Sequence, residues 1–327
     1  VSCPANVNVM PLKPLQPLAV ETAADVERPP FPPALALFVG IMAVSSAAIF
    51  IRFAQREAPS LVIAAYRLSL AAIFLAPLAL TRRRQELAAI RGRTLVLALL
   101  SGLFLALHFA TWITSLEYTS VASSVVLVTT TPLWVALFSP LLLKERVSRW
   151  AAAGMGIALL GGVGVGLSDV CTWEAGGLVC PDAADFVMGR AFWGDVLALI
   201  GAWMAAAYLM IGRRLRRQMT LVGYIFLVYS MAAVILVGLV LIARQPLVGY
   251  SSQTYLWLIL LALIPQLLGH TIFNWSLRFI SAAYVSVTLL AEPIGSSILA
   301  YFILSETPGG IKILVLYLFW LEFISLL

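Results

Sequence analysis

Charge is scarce in this sequence. Only 11% of the 327 residues are Asp, Glu, Lys or Arg, where soluble domains carry about 25%, so a water-soluble enzyme is excluded. Histidine occurs twice and cysteine three times. Cys3, Cys171 and Cys180 have no second cluster and no nearby histidine to complete a zinc site, so neither a metal, nor a cofactor, nor a disulfide scaffold is expected. The net charge is +6, but the bases fall between apolar stretches, as membrane topology demands, and no nucleic-acid surface is read from them. No GxSxG or other nucleophile motif lies at a membrane boundary, so the chain is not read as an enzyme.

Apolar residues are what the chain has in plenty: 62% come from the AVILMFWYC set and the mean hydropathy is +1.00. Residues 1–32 are the exception, holding seven of the 17 prolines and no long apolar run. They are read as a disordered, Pro-rich cytoplasmic tail. Ten apolar segments follow, near residues 34–53, 60–80, 94–114, 120–142, 150–168, 193–212, 221–243, 254–276, 280–303 and 309–327. Each is close to the roughly 20 residues a helix needs to cross the hydrocarbon core. The fold class is therefore an all-α integral membrane protein of ten transmembrane helices. A start at Val1 and a stop inside an apolar run at Leu327 are compatible with a fragment whose last helix is cut short.

Lys and Arg sort to alternate sides. Arg82, Arg83, Arg84, Arg91, Arg93, Lys144, Arg146, Arg149, Arg213, Arg214, Arg216, Arg217 and Arg278 share one side, and Arg52, Arg56, Arg190, Arg244 and Lys312 the other. The positive-inside rule gives the richer side, and both termini, to the cytoplasm. The chain also repeats. An offset of 161 residues brings Gly40 onto Gly201, Arg52 onto Arg213, Ser115-Leu116 onto Ser276-Leu277, Ser120 onto Ser281, Pro132 onto Pro293 and Glu145 onto Glu306. With five spans in each copy, the second enters the membrane from the opposite side. The organisation is two inverted five-helix repeats, 33–168 and 193–327, joined by an extracytoplasmic loop at 169–192. Such repeats give one state open to each face around a midplane site.

The stretch Ser120–Arg146, SVASSVVLVTTTPLWVALFSPLLLKER, and its partner Ser281–Thr307, SAAYVSVTLLAEPIGSSILAYFILSET, resemble the fourth and ninth helices of EamA-type transporters of the drug/metabolite transporter superfamily. The AAYR run at Ala64–Arg67 and the pair Glu292-Pro293 also match. The resemblance covers roughly residues 34–310. The last helix departs from the family pattern, with Lys312 and Glu322 in or beside it. The resemblance implies a secondary transporter in the cytoplasmic (inner) membrane. It would move a small-molecule solute, an amino acid or a similar amphipathic metabolite, most often outward, through a ten-helix bundle around a central cavity. A non-transporting sensor or scaffold, or a channel, is the alternative on the same fold.

Polar groups inside apolar spans mark candidate sites, because a buried charge must face the bundle interior or water. Glu292 lies near the middle of the ninth span, where it reads as a protonatable or cation-pairing group or as a structural carboxyl; Pro293 beside it frees a backbone carbonyl. Protons are a candidate coupling partner. Arg67 either lines the cavity and meets a substrate carboxylate or snorkels to the outer headgroups; a structural or gating role is favoured for it, and Pro132 and Pro293 are grouped with it. His108, Trp112 and Ser115 share one helix face, and His270 and Asn274 share another. These are read as cavity lining, Trp112 and Asn274 ahead of the histidines, with interhelical bonding as the alternative. Cys171 and Cys180 could close a disulfide in the outer loop.

Overall fold

A computed structural model describes residues 29–143, 156, 160–161, 164, 171–174, 177–179, 182–310 and 312–318. Among these, eight helices are long and apolar enough to cross a membrane: α1 (Pro33–Ala54), α2 (Ser60–Arg82), α3 (Gly92–Ser115), α4 (Val121–Leu142), α5 (Arg190–Arg216), α6 (Leu221–Ile242), α7 (Ser252–Ser276) and α8 (Ala282–Leu304). They match eight of the ten expected spans. Most of the expected span at 150–168 lies outside the described residues, as does much of the last, although 312–318 are helical. Among the described residues one element is not helical. In the long loop, Thr172–Glu174 pairs antiparallel with Gly177–Val179 as a two-stranded hairpin. A fully hydrogen-bonded backbone is what a bilayer requires; outside it a hairpin costs nothing special.

The scarce acids have a structural use. The first N–H groups of a helix lack partners and carry a partial positive charge, and four spans start against a glutamate. Glu117 accepts from Ser60 N at 3.2 Å for α2, and Glu306 from Val121 N at 3.0 Å for α4. Glu86 accepts from Thr220 N at 2.8 Å before α6, and Glu57 from Ser251 N at 2.9 Å before α7. Hydroxyl caps complete the set, with Ser120, Thr220, Ser251 and Ser281 each accepting from a backbone N–H three residues on.

Packing follows the internal repeat. Helix α3 lies along α5, and α1 along α7; α2 faces α6, and α4 faces α8; α4 touches α5, and α1 touches α8. Each unlike pair maps onto the other under the 161-residue offset. The closest approaches of α1 fall at small residues. A Cβ added at Gly269 would lie 2.6 Å from Val44 Cγ1, and one at Gly295 would lie 2.8 Å from Ser45 Cβ.

Four of the eight described spans are broken in mid-course. In helix α1 the α-helical bonding is interrupted at Ser46, whose hydroxyl donates to Ala43 O at 2.7 Å. Helix α4 breaks at Thr129-Thr130, whose hydroxyls donate to Val125 O and Leu127 O, the kind of local bond that bends helices. Helix α7 carries a π-helical stretch, Ala262–His270, around Pro265. Helix α8 passes through a 3₁₀ turn, Leu289–Ala291, before restarting at Glu292. Pro132 and Pro293 sit in the first turn of the restarted segments, where a missing N–H does no harm.

Candidate functional site

The four breaks converge on one cavity. Helix α1 supplies Val44 and Ala47, α4 supplies Val128, Thr129 and Thr131, α7 supplies His270 and Phe273, and α8 supplies Leu289 and Glu292. The unbroken helices add Arg67 from α2, His108 and Trp112 from α3, and Ala205, Tyr208 and Leu209 from α5. The space is about 40 Å³, room for a few waters and far below the roughly 300–1,000 Å³ of a small-molecule site. A solute can enter only if helices part.

One wall is aromatic. His108 stacks on Trp112 with ring centroids 5.9 Å apart and 11° between planes. His270 meets Phe109 edge-on at 5.3 Å and lies 6.5 Å from His108. His108 Nδ1 is 2.9 Å from Gly201 O, tying α3 to α5. Trp112 Nε1 is buried with no hydrogen-bond partner among the described residues.

The cavity's cation packs on this aromatic wall. Arg67 is fully buried, its Nε donating to Gln266 Oε1 at 2.7 Å and its guanidinium carbon 4.0 Å from the centre of the Phe109 ring. It does not snorkel: the partner amide and ring hold it inside the bundle. Glu292 is buried on the cavity wall. Arg67 and Glu292 form no ion pair within 4.0 Å.

Four of the six residues expected in the cavity are brought together there: His108, Trp112, His270 and Glu292. The other two are not in its lining. Ser115 turns into the helix packing, its hydroxyl donating to Trp112 O at 2.7 Å and lying 2.6 Å from Ser124 Oγ. Asn274 sits one shell back, its Nδ2 donating to Tyr208 OH and to His270 O. Its place on the His270 face holds, but a turn of helix carries its amide past the opening. Pro132 and Pro293 act on the backbone at the breaks. Cys171 is buried and disulfide-bonded; Cys180 lies outside the described residues. Sequence reading missed Tyr208 and Gln266. A lone amide beside Pro265 in an apolar span was the available signal for Gln266; Tyr208 carried none, being one tyrosine among ten.

A second, more open pocket of about 420 Å³ lies at the end of the bundle that carries the long loop, where Arg52, Glu117, Ser120, Ala191, Glu306 and Lys312 gather. Arg52 Nη2 and Glu306 Oε1 are 3.4 Å apart. Arg52 also donates to the carbonyls of Leu116 and Thr119, and Lys312 Nζ donates to Ser120 Oγ at 2.9 Å. At the other end Arg213 Nη1 donates to Leu277 O at 2.7 Å, the position of the Arg52–Leu116 bond moved by the repeat offset.

Eight apolar helices around a small chamber with a buried acid and a buried base define a multi-pass membrane protein. The EamA-like transporter family matches residues 32–167 and again 192–321. The chain belongs to that family, within the drug/metabolite transporter superfamily, and is a membrane transporter. It is 23% identical over 266 residues to an uncharacterized transporter of Archaeoglobus fulgidus, across 80% of this chain and 85% of that one. A solved crystal structure shares the fold with a TM-score of 0.64 at 19% identity, covering 89% of this chain and 94% of its own.

Proposed function

We propose that the chain is a secondary active transporter that moves a small amphipathic metabolite, an amino acid or a similar solute, outward across the cytoplasmic membrane by alternating access. The observation that carries this reading is the convergence of four broken helices on one contracted chamber. Broken spans at a midplane site are how transporters expose backbone and polar groups to a solute, and a chamber of about 40 Å³ needs helix movement to admit one. Two inverted five-helix repeats, ten spans in all and joined by the loop at 169–192, are the architecture of this reading. Its support is the double family match, the exchange-related helix contacts and the mirrored bonds of Arg52 and Arg213. The excess of Lys and Arg on one side supports cytoplasmic termini. Solute, lipid and, through Glu292, protons are its partners; His108, Trp112, His270 and Glu292 would touch the solute.

The test is reconstitution of the purified chain in liposomes, with labelled amino acids and other small metabolites offered with and without a pH gradient. Saturable flux that accelerates when unlabelled solute is trapped on the far side is expected. Flux that never saturates would favour a channel, and none from folded protein a sensor or scaffold.

A further inference from the structure

Several hydroxyls in the spans are bonded close by. Tyr224 OH lies 2.8 Å from Ser101 Oγ, and Thr111, Thr114, Thr129 and Thr288 each donate to a carbonyl three or four residues back in their own helix. The junction of α2, α6 and α7 behind the cavity is different. Tyr229 of α6 is fully buried, and its hydroxyl faces Gln266, Thr271 and Asn274 of α7. Yet Tyr229 OH, Gln266 Nε2, Thr271 Oγ1 and Asn274 Oδ1 are all buried with no hydrogen-bond partner among the described residues. Gln266 gives its oxygen to Arg67 Nε, and Asn274 its nitrogen to Tyr208 OH and His270 O, so each amide has its other end left over. Helix α7 supplies a reason. Thr271 follows directly on the π-helical stretch Ala262–His270, where the carbonyls are out of the register that a threonine in an α-helix bonds back to.

Orphan polar atoms in a dry interior cost free energy, and their chemistry says what would relieve it. Nε2 only donates, Oδ1 only accepts, and the hydroxyls do either. An anion would leave Oδ1 without a donor. A metal cation would meet the amide hydrogens of Gln266, and no group of three His, Cys, Asp or Glu that could hold a metal occurs among the described residues. Water donates twice, accepts twice and makes about three bonds in a buried site. We infer that the junction of α2, α6 and α7 holds an ordered water, bonded by Tyr229 OH, Gln266 Nε2, Thr271 Oγ1 and Asn274 Oδ1. None of the four residues lines the chamber, so this water is separate from any solute there. It hydrates one of the helix breaks, and α7 meets α6 through a molecule that can change partners.

The test is X-ray radiolytic footprinting of the full chain in detergent, in which radicals formed from water label the side chains that the water touches; tandem mass spectrometry resolves Tyr229 from Tyr224. Tyr229 should label several-fold faster than Tyr224, which is equally buried on the same helix but bonded to Ser101. Thr271→Val keeps the shape and removes one partner of the water; it should cut labelling at Tyr229 several-fold, and Thr271→Ser should restore it. Tyr229→Phe should lower the melting temperature by a few degrees, the loss of one ordinary hydrogen bond. Equal protection of the two tyrosines overturns the inference, whether Tyr229→Phe then raises the melting temperature, as for a dry unbonded hydroxyl, or lowers it, as for a direct side-chain bond. So does labelling at Tyr229 that Thr271→Val leaves unchanged. A rise in melting temperature with bromide that Thr271→Val abolishes makes the occupant an anion and overturns it too. If Thr271→Val is not monodisperse on size exclusion, Tyr229 against Tyr224 in the wild type decides alone.

Discussion

Gly269→Ala tests how tightly α1 is seated beside the cavity. The new methyl would sit 2.6 Å from Val44 Cγ1 and 3.3 Å from Gly40 O, while non-bonded carbons rest at roughly 3.5–4.0 Å. An overlap of about 1 Å must be relieved by moving α1 off α7, and overpacking of this kind costs about 1–3 kcal/mol. Alanine returns up to about 1 kcal/mol through its better helix propensity, so the net loss is about 0–3 kcal/mol. Val44→Ala removes the colliding methyl, itself costing about 1.5 kcal/mol for two lost carbons. In that background Gly269→Ala should become neutral or stabilising, a coupling of about 1–3 kcal/mol. The assay is denaturant unfolding of the four proteins in one detergent. Additivity within about 0.5 kcal/mol would refute the contact. The same cycle reads the site, because Val44 lines the cavity.

Glu292→Gln should reduce flux driven by a pH gradient while the protein stays monodisperse on size exclusion; unchanged gradient dependence removes Glu292 from coupling. Glu306→Gln should cost less than about 1 kcal/mol, as for a part-exposed ion pair, whereas Arg52→Ala should cost about 2 kcal/mol more because the Leu116 and Thr119 carbonyls lose a donor; equal melting shifts for the two would contradict this. Changing side-chain volume at Trp112 should alter which solutes are accepted, and Asn274→Ala should alter stability and not selectivity, since only Trp112 lines the cavity; competition profiles decide it. Glu57, outside the spans, is held below the ordinary carboxylate value of 4.5 by the Ser251 N–H, then by the Thr254 and Ser251 hydroxyls. Its depressed value means the stability it lends is fully present above 4.5 and is lost as the pH falls through the lowered value. Glu57→Gln should flatten that acid limb of a melting-against-pH curve.

The spans were legible because membrane insertion imposes length and apolarity directly, and α1 to α8 fall where the apolar runs do. The breaks were half legible: Pro293 and Pro132 signal them, but the interruption at Ser46 goes with a hydroxyl choosing a local carbonyl, which the residue type permits and does not dictate. At the site, shared helix faces brought out His108, Trp112 and His270. The same reasoning overshot at Ser115 and Asn274, since a face is wider than a cavity and its edges are taken up by neighbouring helices. Arg67 was the instructive case. Its distance from the membrane surface allowed an outward reach, and only the position of Gln266, 199 residues away, settles that it turns inward.

The bonds from Arg52 to Leu116 and from Arg213 to Leu277 also say how force would travel. Each pins the last turn of one helix to the end of another, α3 to α1 at one face of the bilayer and α7 to α5 at the opposite face. Tilting α3 would therefore drag α1 by its Arg52 end, and tilting α7 would drag α5 by its Arg213 end. A load applied at either end of the bundle would be carried by a pair of helices tied at that end, and the two ties lie at opposite ends.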